Sequence, residues 1–130
     1  MKITHFSILP FAIALLSVGC KKKETLPKVT ITIESPVPNA MFSGGDTVMI
    51  HAHITADKDI HGWALTISRV ANNATVFDIH DHTHGRDYYI DTFWVNNVTM
   101  HSDMLLKLTA ELDHDGNTES KTVNFHCHPM

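Results

Sequence analysis

The segment from Thr47 to Ile54 alternates apolar and polar side chains, and this alternation constrains the fold more than any other feature of the chain. Successive side chains of a β-strand point to opposite faces, so residues two apart share a face. One face of this segment would carry Val48, Ile50, Ala52 and Ile54, and the other Met49, His51 and His53. The pattern predicts a strand with one face in a core and one in water.

Similar segments recur between residues 28 and 130, where no stretch sustains a helical period. The further strands that we expect cover residues 28–33, 63–67, 75–80, 88–95, 105–112 and 121–125, with Trp63, Leu65 and Ile67 facing inward in the second of these. Predicted turns fall at 57–59, 72–73, 96–97 and 113–117. Seven short strands at regular spacing predict an all-β, immunoglobulin-like antiparallel β-sandwich.

The N-terminus has the layout of a secretory signal peptide. Met1-Lys2 precedes an apolar stretch from Phe6 to Leu16, and small residues stand just before Cys20. Ser17-Val18-Gly19-Cys20 resembles the lipobox of bacterial lipoproteins, in which the cysteine is diacylated and becomes the new N-terminus. This resemblance implies a cleaved segment 1–19, lipid at Cys20 and a flexible tether 20–27. The alternative is an ordinary secreted protein.

Charge and cysteine content limit the classes of binding partner and the sources of stability that we expect. From Asp46 onward, five Lys and Arg stand against twelve Asp and Glu, a formal charge of −7. This balance argues against a nucleic-acid partner and favours cations. If Cys20 carries lipid, Cys127 has no disulfide partner, and stability must come from the core or from bound metal.

The histidines indicate a metal-binding surface. Seven of the eleven lie in alternating runs, which are His51-x-His53, His80-x-His82-x-His84 and His126-x-His128. Alternation places the imidazoles of one run on one face of a strand. Imidazole is the commonest metal ligand in proteins because it binds well when neutral near pH 7. We therefore expect a divalent transition metal, with zinc or copper as the candidates.

An antiparallel sandwich would collect the histidines at its two ends. One end would gather His61, the run from His80 to His84, and His114, with Asp81 as a further donor. The other would gather His101, His126 and His128, with His51 near. The expected metal ligands are His80, His82, His84, His61, His114, Asp81, His126 and His128. Zinc is favoured because histidines outnumber sulfur donors.

The C-terminal pentapeptide offers a softer donor set. His126-Cys127-His128-Pro129-Met130 combines nitrogen, thiol and thioether groups, which suit copper(I). Alternation, however, turns Cys127 toward the core, where it would be an inert thiol. For every histidine run the alternative is a solvated polar face of an exposed strand.

Several turn motifs suggest a family. Ser35-Pro36, Phe42-x-x-Gly45-Asp46, the His-rich strand end and Asp115-Gly116-Asn117 together resemble the His-rich immunoglobulin-like lipoproteins of Bacteroidetes, whose function is uncharacterised. The resemblance implies a sandwich over residues 28–130 and a place in the cell envelope, and it supplies no activity. The lysines after Cys20 lack the acidic signal associated with surface export in that group, which favours the periplasmic side of the outer membrane.

Two function classes follow from these observations. The first is a lipid-anchored protein that captures, delivers or senses a transition metal. The second is a structural or adhesive module with a protein partner in the cell envelope and no metal role. Catalysis is not expected. His80-x-His82 resembles part of the metallo-β-lactamase motif, but Thr83-His84-Gly85 breaks it and the chain is too short for that fold.

Overall fold

The computed structural model describes Gly19 and residues 23–130. Cys20 and the expected signal peptide, apart from Gly19, lie outside this part of the chain. Within the described residues, there is no helix with the length and apolar character needed to cross a membrane.

Eight strands form two packed sheets. The strands are β1 (Val29–Ser35), β2 (Met41–Phe42), β3 (Thr47–Ile60), β4 (Gly62–Arg69), β5 (Thr75–Asp81), β6 (Gly85–Val95), β7 (Ser102–Glu111) and β8 (Thr118–Cys127). One sheet has the order β1-β3-β6 and the other β2-β8-β7-β4-β5. All neighbours are antiparallel except β2 and β8, which are parallel. The predicted immunoglobulin-like β-sandwich is confirmed.

The core lies between the inner faces of the two sheets. The aliphatic face of β3 is buried as its alternation predicts, with Val48, Ile50 and Ile54 fully excluded from solvent. Trp63, Leu65 and Ile67 of β4 also face inward, and Leu106 and Leu108 of β7 pack in the same cluster. Burying an aliphatic side chain of this size contributes about 1.5–3 kcal/mol, so these alternating strands stabilise the sandwich directly.

The predicted turn at residues 57–59 is wrong, because β3 continues through them. The pairing of β3 with β6 is irregular after Thr55, and the polar side chains of this stretch find partners elsewhere. Asp57 accepts a hydrogen bond of 2.7 Å from the Lys28 backbone, and Arg86 lies 2.6 Å from Asp59. The charged triplet is therefore an exposed strand, and the chain turns between β3 and β4 instead.

The two ends of the sandwich carry different loops. The first pole contains the β3–β4, β5–β6 and β7–β8 connections, and the second pole contains the start of β7 and the end of β8. Ten residues of β7 separate them, or about 33 Å at 3.3 Å per residue. The N-terminal segment lies at the first pole, where Lys58 donates a 2.9 Å hydrogen bond to the Thr25 carbonyl.

Candidate metal centre

Three imidazoles from three separate connections meet at the first pole. His61 lies between β3 and β4, His84 precedes β6, and His114 lies in the β7–β8 hairpin. One ring nitrogen of each lies within 4.8 Å of the other two. The ring centroid of His61 is 4.4 Å from that of His84 and 3.8 Å from that of His114. We refer to these three residues as the first cluster.

The spacing of the first cluster is close to that of a zinc site. His61 Nδ1 lies 3.1 Å from His114 Nδ1. Two nitrogens bound to one tetrahedral zinc at about 2.0–2.1 Å would lie about 3.3–3.4 Å apart. A slight opening of this pair, with a rotation of His84, would give three nitrogen ligands and leave a fourth position open.

The backbone around His61 is fixed by its neighbours. The His61 amide donates a 2.8 Å hydrogen bond to the Glu111 carbonyl, which ties the β3–β4 connection to the end of β7. Gly62 follows with φ 151°, and a Cβ there would lie 2.9 Å from the Cα of His82. Glycine lets the chain that leads to His84 pass directly against position 62, next to His61.

The hairpin that presents His114 is held by one carboxylate. Asp113 Oδ1 accepts hydrogen bonds from the amides of Asp115 (2.9 Å) and Asn117 (3.1 Å). Its Oδ2 accepts another, of 2.6 Å, from the Asn117 side chain. These bonds, led by the one from the Asn117 side chain, lower the pKa of Asp113, so the carboxylate remains ionised and keeps the loop in place.

The surroundings of His61 in the first cluster favour its neutral form. Desolvation lowers the pKa of His61, and the neighbouring His114 and His84 lower it further, against the opposing effects of Asp113 and Glu111. A lowered pKa leaves the imidazole lone pair available at lower pH than in an isolated histidine. Neutral imidazole is the form that binds metal.

An open cleft of about 400 Å³ adjoins the first cluster. It is lined by the three histidines together with His82, Glu111 and Asp113, among others. His82 Nδ1 lies 3.4 Å from a carboxylate oxygen of Glu111. Oxygen and nitrogen donors beside the open position suit zinc and other borderline metals.

Three of the expected ligands at this pole lie outside the first cluster. His80 is exposed on β5, with its ring 5.2 Å from that of His82, which itself faces Glu111. Asp81 accepts a 2.8 Å hydrogen bond from the Thr83 amide. Hydrogen bonds from Thr83 lower the pKa of Asp81. This carboxylate orders the β5–β6 connection and so acts on His84 through the backbone.

The second pole holds another group of three imidazoles. His101, His126 and His128 offer nitrogens within 4.8 Å of one another. His128 Nδ1 lies 2.9 Å from His101 Nδ1, and His126 Nδ1 lies 2.8 Å from a carboxylate oxygen of Asp103. We refer to these three histidines as the second cluster.

The two histidines of β3 lie beside aspartates and outside both clusters. His51 and His53 lie on the outer face of β3, where they contact Asp91 at 3.2 Å and Asp87 at 2.5 Å. His51 therefore lies apart from the second cluster.

Cys127 is fully buried, as alternation predicts. Burial, with a contribution from Asp46, raises the pKa of its thiol to about 11.

Two residues of these sites, Asp103 and Glu111, were not predicted from the sequence, and each has a carboxylate oxygen that faces a histidine. His101 was expected at the second pole with His126 and His128, and it lies beside them. The register of the β7–β8 hairpin contained the signal for Asp103, since it pairs Asp103 with His126. That register depends on how the hairpin closes, which the turn residues alone did not specify.

Comparisons with known proteins concern the fold. No family model matches the chain, and no curated protein matches it. The fibronectin(III)-like modules of Clostridium thermocellum CbhA are 18% identical, over 78% of this chain and 98% of theirs, with a TM-score of 0.48. The sporulation control protein Spo0M from Bacillus subtilis is 12% identical over 82% of this chain, with a TM-score of 0.53. The match covers 51% of Spo0M, so the chain spans about half of that structure's length.

Proposed function

We propose that this protein is a lipid-anchored transition-metal-binding module of the bacterial cell envelope, which binds zinc in preference to copper at the first cluster and acts in metal capture, delivery or sensing. The observation that carries the proposal is the convergence of His61, His84 and His114 from three connections. Segments distant in sequence have no local reason to bring three imidazoles within 4.8 Å of one another. Coordination of one shared metal ion would account for this convergence.

The charge of the domain and its expected anchor support the same role. An excess of acidic residues after Asp46 attracts cations. Lipid at Cys20 would hold the module at the outer membrane, on its periplasmic side, where exported proteins meet metal ions. The exposed cleft beside the cluster allows an ion to enter and leave.

A zinc titration of the full chain in detergent tests the proposal. We expect saturable binding that the variant His61→Ala/His84→Ala/His114→Ala loses by at least about 100-fold in affinity. The matched control His51→Ala/His53→Ala/His80→Ala removes the same number of imidazoles outside both clusters and should retain the parent affinity. Equal losses in both variants would mean that the histidines bind zinc only as a diffuse array.

A second candidate function is protein–protein interaction through the outer face of the three-stranded sheet. Met49, Tyr89, Phe93 and Val95 are all exposed there, with Tyr89 at 77%. Exposed aromatic and aliphatic side chains on one sheet face are typical of interaction surfaces. Sedimentation across a concentration series would test self-association, which Tyr89→Ser/Phe93→Ser should abolish if this face joins two copies. If the protein binds no zinc and associates through this face, the adhesive role is favoured.

A further inference from the structure

We propose that the second cluster is a separate site for copper(I), in which the three imidazoles are joined by methionine thioethers. This proposal rests on the proposed metal-binding function and extends it to a different ion at the opposite pole. Its chemistry does not depend on zinc binding at the first cluster.

The nitrogen donors of the second cluster are already close together. His101 and His128 face each other through Nδ1 atoms 2.9 Å apart, and the ring centroids of His126 and His128 are 4.7 Å apart. His126 Nδ1 lies 2.8 Å from a carboxylate oxygen of Asp103, so the other ring nitrogen of His126 points away from the carboxylate. A carboxylate behind an imidazole is the usual support of a metal-bound histidine.

Three exposed methionines lie near these histidines in the sequence or in the strand register. Met41 is the register partner of His126 in the β2–β8 pair, Met100 directly precedes His101, and Met130 lies two residues after His128. Their exposed fractions are 72%, 64% and 98%. Of the four strongly exposed methionines among the described residues, only Met49 lies elsewhere, on the outer face of the other sheet.

The geometry of β2 and β8 brings one thioether close to the imidazoles. Register partners on neighbouring strands lie on the same sheet face about 5 Å apart. Met41 and His126 also line one pocket of about 420 Å³ with Asp103 and Val70. Methionine has three rotatable side-chain bonds, so its sulfur can reach an ion held at His126.

The C-terminal tail is held where its methionine can contribute. The His128 amide donates a 2.8 Å hydrogen bond to the Phe42 carbonyl, and the His128 carbonyl accepts one of 2.9 Å from the Asn96 side chain. Met130 then lies directly on Gly44, where a Cβ would come within 2.6 Å of the Met130 Cα. The tail therefore runs along the β2 side of the pole, against Gly44.

This donor set distinguishes the two poles by ion preference. Thioether sulfur is a soft ligand that binds copper(I) well and zinc poorly, whereas the carboxylates beside the first cluster favour zinc. Cys127 adds no ligand, because its side chain is fully buried in the core. The site is thus expected to bind copper(I) without a thiolate.

Competition with the chromophoric chelator bicinchoninate, under reducing conditions, tests the proposal. The full chain would carry Cys20→Ser, so that Cys127 is its one thiol. We expect His101→Ala/His126→Ala/His128→Ala to weaken copper(I) binding by at least about 100-fold and Met41→Leu/Met100→Leu/Met130→Leu by about tenfold or more. The matched controls Met49→Leu and Cys127→Ala should leave the affinity unchanged.

Zinc titrations of the same variants separate this proposal from the function proposed above. Zinc binding at the first cluster should survive both triple variants, whatever happens to copper. Retained copper(I) affinity in the histidine variant would overturn the site. No effect of the methionine substitutions would overturn the thioether contribution and the copper preference, and this result does not depend on how well the histidine variant folds.

Discussion

At the scale of single residues, Gly62 connects the fold to the first cluster. Its backbone has positive φ and lies against the backbone of Asp81 and His82, in space that no side chain can occupy. It is the first residue of β4, directly after His61, and it lets the β5–β6 connection approach. A residue without any chemistry of its own therefore sets the distance between two of the proposed ligands.

Replacement of Gly62 should affect stability and zinc binding together. We expect Gly62→Ala to lower the free energy of unfolding by about 2 kcal/mol or more, from backbone strain and a clash with the Asp81 carbonyl. The shifted loop should also weaken zinc binding. Gly45→Ala is the control, since Gly45 has φ 83° but open space around it. Chemical denaturation and zinc titration measure both effects, and an equal, small cost in the two variants would refute the close-approach argument.

Cys127 should make the stability of the fold decrease at alkaline pH. The pKa of its thiol rises from 9.0 in the unfolded chain to about 11 in the folded one. Its contribution to stability is complete below pH 9 and is lost as the pH rises toward 11, because the unfolded state then loses its proton first. Denaturation of the parent and of Cys127→Ser at intervals across this range should show the difference between them shrinking. A constant difference would contradict a buried, protonated thiol.

At the scale of strands and loops, the alternating segments were predictable and the charged ones were not. Trp63, Leu65 and Ile67 face the core because a two-residue period has one solution once one face is apolar. The stretch 57–59 carries no such signal. Its strand conformation depends on Lys28 and Arg86, which come from other parts of the chain. Local turn propensity could not reveal those partners.

Asn96 joins three chain segments at the second pole. It is buried, and its side-chain nitrogen donates hydrogen bonds of 2.9 Å to the carbonyls of Ser43 and His128. Its own backbone pairs with Gly45 and Asp46. The β2–β3 connection, the end of β6 and the C-terminal tail are therefore held by one amide side chain.

Loss of that amide should destabilise the fold and release the tail. We expect Asn96→Ala to cost about 1–3 kcal/mol, because buried carbonyls would be left without donors. Asn97→Ala, at the exposed neighbouring position, should cost less than about 0.5 kcal/mol. Urea denaturation compares the two, while carboxypeptidase digestion reports release of the tail. Similar stabilities for the two variants would show that Asn96 does not hold this junction.

At the scale of the whole molecule, the two clusters lie at opposite poles, and the chain enters at the first. Thr25 is hydrogen-bonded to Lys58 there, and four residues lie between it and Cys20. An anchor at Cys20 would therefore bring the first cluster near the membrane and direct the second away from it. Sequence reasoning could assign most histidines to the correct ends, because strand order alternates direction. It could not choose among His80, His82 and His84, since that choice depends on how the β5–β6 connection leaves its strand.

The proposed anchor is tested at Cys20 itself. Cys20→Ser should remove incorporation of a labelled fatty acid and move the protein from the detergent to the aqueous phase in a Triton X-114 partition, because the acyl chains supply the membrane affinity. Cys127→Ser should behave like the parent in both assays. Continued labelling of the Cys20→Ser variant would refute lipidation at this position.

The most direct test of the central claim is the anomalous scattering of zinc-loaded crystals, measured on both sides of the zinc absorption edge. We predict a peak among His61, His84 and His114, about 2.0–2.1 Å from one nitrogen of each ring. We also predict that His80 and Asp81 lie outside the coordination sphere. A fully zinc-saturated crystal with no peak at the first cluster, or with zinc held by His80 and His82 on the strand face, would contradict the central claim.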